Sequence, residues 1–96
     1  MKTEYQQSII SKIRRLRDER KYSQKDIADI IGISYGQMGN IESPKAKNKY
    51  TLAQIHQICK EFNMPIEQIF IEDEEFALGK DIINLLITKI VKYGER

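Results

Sequence analysis

The chain has 96 residues, of which 41% are hydrophobic and 31% are charged, and its formal net charge at pH 7 is +2. This length predicts one domain with a modest core, and no apolar run is long enough to span a membrane. A single cysteine, Cys59, excludes an internal disulfide, and the polar first residues include no apolar signal segment. We therefore expect a cytoplasmic protein.

The charges are distributed unevenly along the chain. Residues 1–50 contain 11 Lys and Arg against 6 Asp and Glu, whereas residues 51–96 contain 5 against 8. Such an asymmetry suits a protein that turns one face to a polyanion, although runs of charge are also common on ordinary solvated surfaces. Charge alone therefore leaves nucleic-acid binding open.

The first predicted helix covers about residues 4–20. Apolar residues recur there on one stripe, at Ile9, Ile10, Ile13 and Leu16. Basic residues occupy much of the rest of this segment. The pattern predicts an amphipathic helix with a positively charged outer face.

Residues 23–42 predict two short helices joined by a tight turn. Ser23 and Ser34 are favourable N-caps, because their hydroxyls can accept from unpaired backbone N–H groups. Gly32 can adopt the positive φ that ends a helix, and Ala28 is small enough for the two helices to cross closely. The inward side chains are expected to be Ile27, Ile31, Ile33, Met38 and Ile41. A generic helical hairpin would share these features, but the full register favours a helix-turn-helix, whose second helix fits the DNA major groove.

Three further segments follow this unit. Pro44 ends the third helix, because proline disfavours helical geometry in the preceding residue, and residues 43–50 predict a basic loop. Thr51 is another N-cap, and the helix after it is expected to bury Leu52, Ile55, Ile58, Cys59 and Phe62. Asn63 is expected to stop that helix with a positive φ, and a short fifth helix over residues 65–70 follows.

The composition changes after residue 71. Residues 72–75 are all acidic, which indicates a boundary or the start of the last helix. Residues 81–93 are apolar almost all round, which favours a helix but leaves a strand open. Such a helix can pack back onto the domain or, as we expect, form a homodimer contact. We divide the chain into a helix-turn-helix DNA-binding domain, residues 1–71, and a C-terminal segment, residues 72–96.

Several short motifs carry a family resemblance. Ser-Gln-x-x-Ile-Ala at residues 23–28 is followed by Gly-Ile-Ser at 32–34 and by Ile-Glu at 41–42. With Ile13, Leu16, Arg17, Met38 and the segment from Leu52 to Phe70, the chain resembles the phage repressor and Cro-like helix-turn-helix family, also called the xenobiotic-response-element family. The resemblance implies an all-α protein, with a five-helix domain and here an added C-terminal helix. It also implies binding to double-stranded operator DNA, commonly as a two-fold dimer, by a transcriptional regulator that we expect to be a repressor.

The resemblance also implies roles for individual residues. Base contacts would come from the exposed start of helix three and one turn beyond, at Tyr35, Gly36, Gln37 and Asn40. Glutamine and asparagine can form two hydrogen bonds with adenine, and a tyrosine ring can contact a thymine methyl group. The alternative for Gln37 and Asn40 is ordinary solvated surface. The resemblance also implies that Gln24 contacts a phosphate and braces helix three, and that Ser34 lies against the DNA backbone. Lys45, Lys47 and Lys49 lie in a loop longer and more lysine-rich than the family's common form, and we expect them to contact phosphates through their charge.

Helix three contains one member of an expected ion pair and two glycines. The resemblance implies that Arg17 and Glu42 form a partly buried ion pair that holds helix three against helix one, the alternative being a weak surface pair. Gly36 and Gly39 both lie inside the predicted helix three, which departs from the family pattern. Each glycine costs a helix roughly 0.5–1 kcal/mol relative to alanine. We expect Gly36 either to let the backbone approach DNA or to leave base reading to Tyr35 and Gln37, and we expect Gly39 to let helix three approach a neighbouring helix.

An enzyme is not expected. His56 is the only histidine, and His56 and Cys59 lack two further metal ligands at a matching spacing. No nucleophile elbow and no phosphate-binding glycine-rich loop occurs in the sequence. We therefore expect no metal, no cofactor and no small-molecule substrate. The competing function is a protein-interaction module, such as an antitoxin or an accessory subunit, that keeps the fold but binds DNA weakly.

Overall fold

Seven helices form the part of the chain that the computed structural model describes, residues 1–79 and 81–95. They are α1 (Glu4–Glu19), α2 (Gln24–Ile31), α3 (Tyr35–Glu42), α4 (Leu52–Glu61), α5 (Glu67–Phe70), α6 (Asp73–Ala77) and α7 (Ile82–Gly94). The expected all-α fold is confirmed, and segment 81–93 is helix rather than strand. The described residues contain one helix more than the sequence predicts, namely α6.

The longer helices of the N-terminal part begin at hydroxyl side chains. Each hydroxyl accepts a hydrogen bond of 3.0–3.1 Å from the backbone N–H three residues later, at Thr3, Ser23, Ser34 and Thr51. The side chain three residues later accepts in return from the capping residue's N–H. These reciprocal bonds satisfy backbone donors that a helix start leaves free, so the helices begin where the sequence predicts. Gly32 and Asn63, with φ of 73° and 52°, follow the ends of α2 and α4 as expected.

The core lies between α1 and the helices around it. α1 packs against α3, α5 and α7, while α2 packs against α3 and α4. The most buried aliphatic side chains include Ile13, Ile27, Met38, Ile55, Ile58 and Ile69. Leu52 is 43% exposed, so its expected inward position is wrong. It is in register with Ile55 but lies one turn nearer the start of α4, beyond the core.

The acidic run forms a short helix of its own. The Glu75 carboxylate accepts from the Glu72 backbone N–H at 3.0 Å and pairs with the Lys89 ammonium of α7 at 3.0 Å. Gly79, with φ of 65°, then turns the chain between α6 and α7. The run is therefore not the start of the last helix.

One face of α7 packs back onto the domain. The Tyr93 side chain is 4% exposed, its ring meets the Phe70 ring edge-on at 5.8 Å, and its hydroxyl donates to the Tyr50 carbonyl at 2.8 Å. The hydrophobic core thus continues across the boundary between residues 71 and 72. The opposite face carries an exposed apolar stripe, formed by Ile83, Ile87 and Val91. Within residues 1–79 and 81–95, no helix combines the length and apolar character needed to cross a bilayer.

Candidate nucleic-acid interface

α2 and α3 form two helices with a three-residue turn, residues 32–34. The Gly32 and Ile33 N–H groups both donate to the Ala28 carbonyl, which closes the end of α2. α3 buries Met38 and Ile41 against the core. The residues predicted to contact bases all lie on its exposed side, at Tyr35, Gly36, Gln37 and Asn40. The structure therefore brings them together on one accessible surface.

Behind this surface, Arg17 of α1 meets Glu42, the last residue of α3. The Arg17 Nε and Nη2 atoms each donate a 2.8 Å hydrogen bond to a different carboxylate oxygen. Only 8% of the Arg17 side chain and 2% of the Glu42 side chain are exposed. Arg17 Nη1 also donates to the Tyr22 carbonyl at 3.1 Å. The pair expected from the sequence is thus buried and connects α1, α3 and the link before α2.

The electrostatics of this pair follow from its surroundings. Burial alone would raise the pKa of the Glu42 carboxyl, but hydrogen bonds from Arg17 and Gln24 and the charges of Arg17 and Arg14 keep that pKa below its usual value. The hydrogen bond to Glu42 is the main cause that raises the pKa of Arg17. Both groups are therefore charged at neutral pH, and each satisfies the other.

Gln24 and Ser34, both predicted to contact the DNA backbone, already have roles in the free protein. Gln24 Nε2 donates to Glu42 at 2.8 Å, so Gln24 braces the end of α3 from α2. The Ser34 hydroxyl caps α3 by accepting from the Gln37 N–H at 3.1 Å. Gln24 is half-buried and Ser34 is exposed, and their phosphate contacts stay predictions.

Gln37 is the last residue of a Ser-x-x-Gln capping box, and this cap constrains its side chain. Its Oε1 accepts from the Ser34 N–H at 3.0 Å, as part of the reciprocal cap. A two-bond contact with adenine needs the same oxygen to accept from the base. A contact of Gln37 with adenine would therefore require Gln37 to share or release this capping bond, whereas the exposed Asn40 lies about one turn further along.

The three lysines of the basic loop differ in their surroundings. Lys45 and Lys47 are exposed after the end of α3. Lys49 is half-buried, its Nζ donates to the Tyr93 carbonyl at 3.2 Å, and it lies 5.4 Å from the centre of the Tyr93 ring. A phosphate contact by Lys49 would have to replace these interactions, so Lys45 and Lys47 are the better placed pair.

Two basic residues beside α3 were missed by the sequence analysis. The Arg14 side chain is 58% exposed, with its Nε 3.8 Å from a Glu42 oxygen. Its position three residues before Arg17 on α1 is a helical spacing that could have identified it. Lys2 is buried, and its ammonium binds backbone carbonyls 38 to 44 residues away. No sequence pattern indicates such a contact.

The two glycines of α3 have open space around them. A β-carbon built at Gly36 or at Gly39 would have no neighbouring heavy atom within 4 Å. The expectation that Gly39 lets α3 approach another helix is therefore wrong, because no helix comes that close. At Gly36 the same open space faces solvent, so close approach of the backbone to DNA stays a prediction.

His56 and Cys59 of α4 lie in different environments. His56 is exposed, whereas Cys59 is 2% exposed and burial raises the pKa of its thiol to about 11. Among the described residues, no group of three His, Cys, Asp or Glu side chains is arranged to bind a metal ion. Cys59 therefore packs as a small apolar residue.

Residues 10–75 match a family model described as a helix-turn-helix domain, and this region is more than half of the chain. The chain belongs to the helix-turn-helix domain family. It is a Cro-like member, in agreement with the resemblance seen in the sequence motifs. Neither the curated proteins nor the solved structures that were compared gave a match. The helix-turn-helix region includes Arg17, Glu42 and the exposed side of α3, which supports a DNA-binding regulator.

Proposed function

We propose that this helix-turn-helix protein is a sequence-specific transcriptional repressor that inserts α3 into the major groove of its operator. The observation that carries the proposal is an exposed α3 surface fixed from behind by the buried pair of Arg17 and Glu42. Base recognition needs side chains held in register with base edges, which a braced helix provides. Repression needs only occupancy of the operator, so no further surface is required for it.

Basic side chains at the end of α3 would bind the phosphates that flank the groove. Lys45 and Lys47 lie in the loop after α3, and Arg14 of α1 lies beside Glu42. Contacts of this kind fix the orientation of a protein on the duplex without reading sequence. Each one releases a counterion, so the affinity should fall steeply with salt concentration.

We also propose that two copies bind as a two-fold homodimer through α7. Ile83, Ile87 and Val91 are 72%, 55% and 62% exposed and lie four residues apart, so they form one apolar stripe. A 13-residue helix is about 20 Å long, which makes a smaller contact than most stable dimers use. We therefore expect a reversible dimer that DNA strengthens, with half-sites about 34 Å apart or a multiple of that.

The first experiment is selection of bound duplexes from a random-sequence pool, followed by affinity measurements with purified variants. Gln37→Ala should change the preferred sequence. Lys47→Ala should weaken all duplexes alike and reduce the slope of log affinity against log salt by about 0.9. Lys60→Ala, an exposed lysine in the last turn of α4, is the matched control and should leave the affinity unchanged.

The competing function makes the opposite prediction. A protein-interaction module with weak DNA binding would enrich no sequence from the pool. It would also show no effect of Gln37→Ala. Those two results together would contradict the proposed repressor function and would favour a protein-interaction role for the apolar stripe of α7.

A further inference from the structure

Lys2 is a buried lysine whose contacts are with the backbone at the end of α3. The residue is 5% exposed, and its Nζ donates to the carbonyls of Asn40 at 3.3 Å, of Ser43, and of Ala46 at 2.8 Å. An ammonium group has three N–H donors, so these three carbonyls use all of them. Lys2 therefore joins the N-terminal segment to the last turn of α3 and to the loop beyond it.

The position explains why a cation is favourable there. The last carbonyls of a helix lack intrahelical partners and form its partially negative end. α3 has no basic residue of its own in its last turn, so Lys2 supplies from outside the helix what a local Lys or Arg commonly supplies. Burial lowers the pKa of Lys2, but the three carbonyls offset part of the cost of burying the charge.

The groups that Lys2 binds belong to both parts of the proposed DNA surface. Asn40 is a predicted base contact, and Ala46 lies between Lys45 and Lys47, the predicted phosphate contacts. A single ammonium thus connects the last turn of α3 to the loop that carries the predicted phosphate contacts.

The segment that carries Lys2 is itself anchored. The next residue, Thr3, donates its N–H to Gln6 at 3.0 Å, and Gln6 Nε2 donates to the Tyr93 carbonyl of α7 at 2.7 Å. Residues 2 and 6 both precede the helix-turn-helix match, which begins at residue 10.

We propose that Lys2 is a positioning residue for DNA recognition, which holds the last turn of α3, with Asn40, in the orientation that base recognition needs and uses the loop carbonyl as its second anchor. This inference rests on the proposed DNA-binding function. Lys2 itself contacts no DNA, because its ammonium is buried and its donors are occupied.

The contact can be tested in the unmodified protein by nuclear magnetic resonance of the lysine ammonium groups. We expect a Lys2 ammonium signal with slow proton exchange, because its three protons are bound and shielded from water. The signals of Lys45 and Lys47 should be broadened by fast exchange and serve as internal controls. Fast exchange of the Lys2 protons would overturn the proposal without bearing on whether the protein binds DNA.

The positioning role is tested with Lys2→Met, which keeps the apolar stem but removes the donors. Binding is measured over a series of salt concentrations to the duplex selected from the random pool and to a scrambled duplex. We expect about a tenfold loss on the selected duplex, the size of one misplaced base contact, with unchanged affinity for the scrambled duplex. The salt slope should stay at the wild-type value, whereas Lys47→Met should lower it by about 0.9.

Other results of the binding experiment would contradict the positioning role in different ways. A reduced salt slope for Lys2→Met would mean a direct phosphate contact or a displaced basic loop, and unchanged discrimination between the duplexes would mean a purely structural role. Either result overturns this proposal alone. If the wild-type protein selects no duplex, the proposed function and this positioning role fail together. Should Lys2→Met not fold, Lys2→Gln keeps an amide donor, and a smaller loss confined to the selected duplex is then expected.

Discussion

The Arg17 guanidinium donates two 2.8 Å hydrogen bonds to the Glu42 carboxylate and so ties α1 to the end of α3. Gln24 of α2 adds a third bond of 2.8 Å to the same carboxylate. The helix proposed to enter the groove is therefore held by both helices behind it. Because the pair is buried, removing one partner leaves a buried charge without its ion-pair partner.

Replacement of Arg17 by methionine should destabilise the protein by about 3 kcal/mol, the lower range for breaking one side of a buried ion pair. The double variant Arg17→Met with Glu42→Leu should lose less than Arg17→Met alone, because no unpaired charge remains. Urea unfolding followed by circular dichroism measures both. A double variant as unstable as the sum of the two single variants would show that the pair does not act as a unit.

Acid should destabilise the protein through Glu42. Its pKa in the folded protein lies below the usual value of 4.5, so its stabilising contribution is present above about pH 4.5 and is lost as the pH falls through the folded pKa. Asp26 and Glu75, whose pKa values are also lowered, act in the same direction. We expect the urea concentration at the unfolding midpoint to decrease as the pH is lowered from about 5 to about 3, which is roughly the range in which carboxyl groups titrate.

Glu42→Gln is the control for this pH dependence. The variant should be less stable at pH 7, and its urea midpoint should fall less between the same two pH values. An identical slope in the two proteins would assign the acid sensitivity to other carboxylates.

Substitutions of the two glycines of α3 should affect stability and DNA binding differently. Gly36→Ala and Gly39→Ala should each raise the free energy of unfolding by about 0.5–1 kcal/mol, because the added methyl groups meet no neighbour and alanine favours helix. Gly36→Ala should nevertheless weaken binding to the selected duplex, since we expect the backbone to approach DNA there. Gly39→Ala is its matched control and should leave the affinity unchanged. Equal affinities of the two variants would exclude close approach at Gly36.

A charge on the apolar stripe should abolish the proposed dimer. Ile87→Asp places a carboxylate at the middle of the stripe, where the side chain is 55% exposed, so the fold itself should be little affected. Sedimentation equilibrium should show a reversible dimer for the wild-type protein and a monomer for Ile87→Asp. Gln57→Asp, an exposed site on α4, should remain dimeric. A wild-type protein that is monomeric at all concentrations tested would contradict the homodimer.

The sequence predicts the local features of this fold well. Ser23, Ser34 and Thr51 cap helices where they are expected to, because a hydroxyl and its N–H partner lie three residues apart along the chain. The pairing of Arg17 with Glu42 was accessible through the family resemblance. Local spacing and a known motif therefore suffice for the helix-turn-helix itself.

The contacts that the sequence does not reveal are long-range bonds to backbone carbonyls. Lys2 and Tyr93 both donate to such carbonyls, which every residue possesses, so no partner residue type marks the site. The sequence does not predict the short helix α6, because its start has no hydroxyl cap; instead the Glu75 carboxylate accepts from the Glu72 N–H. Such features become visible only once distant segments are assembled.

The hydrogen bond from Tyr93 to Tyr50 sets a practical limit on how the molecule can be shortened. A fragment cut at residue 71 would retain the entire proposed DNA surface, yet it would strip Phe70 of its aromatic cover, leave the Tyr50 carbonyl without its donor and free Lys49 from its acceptor. Any minimal version for crystallisation or binding assays should therefore extend through residue 93, and oligomeric state should be altered by point substitution instead of truncation.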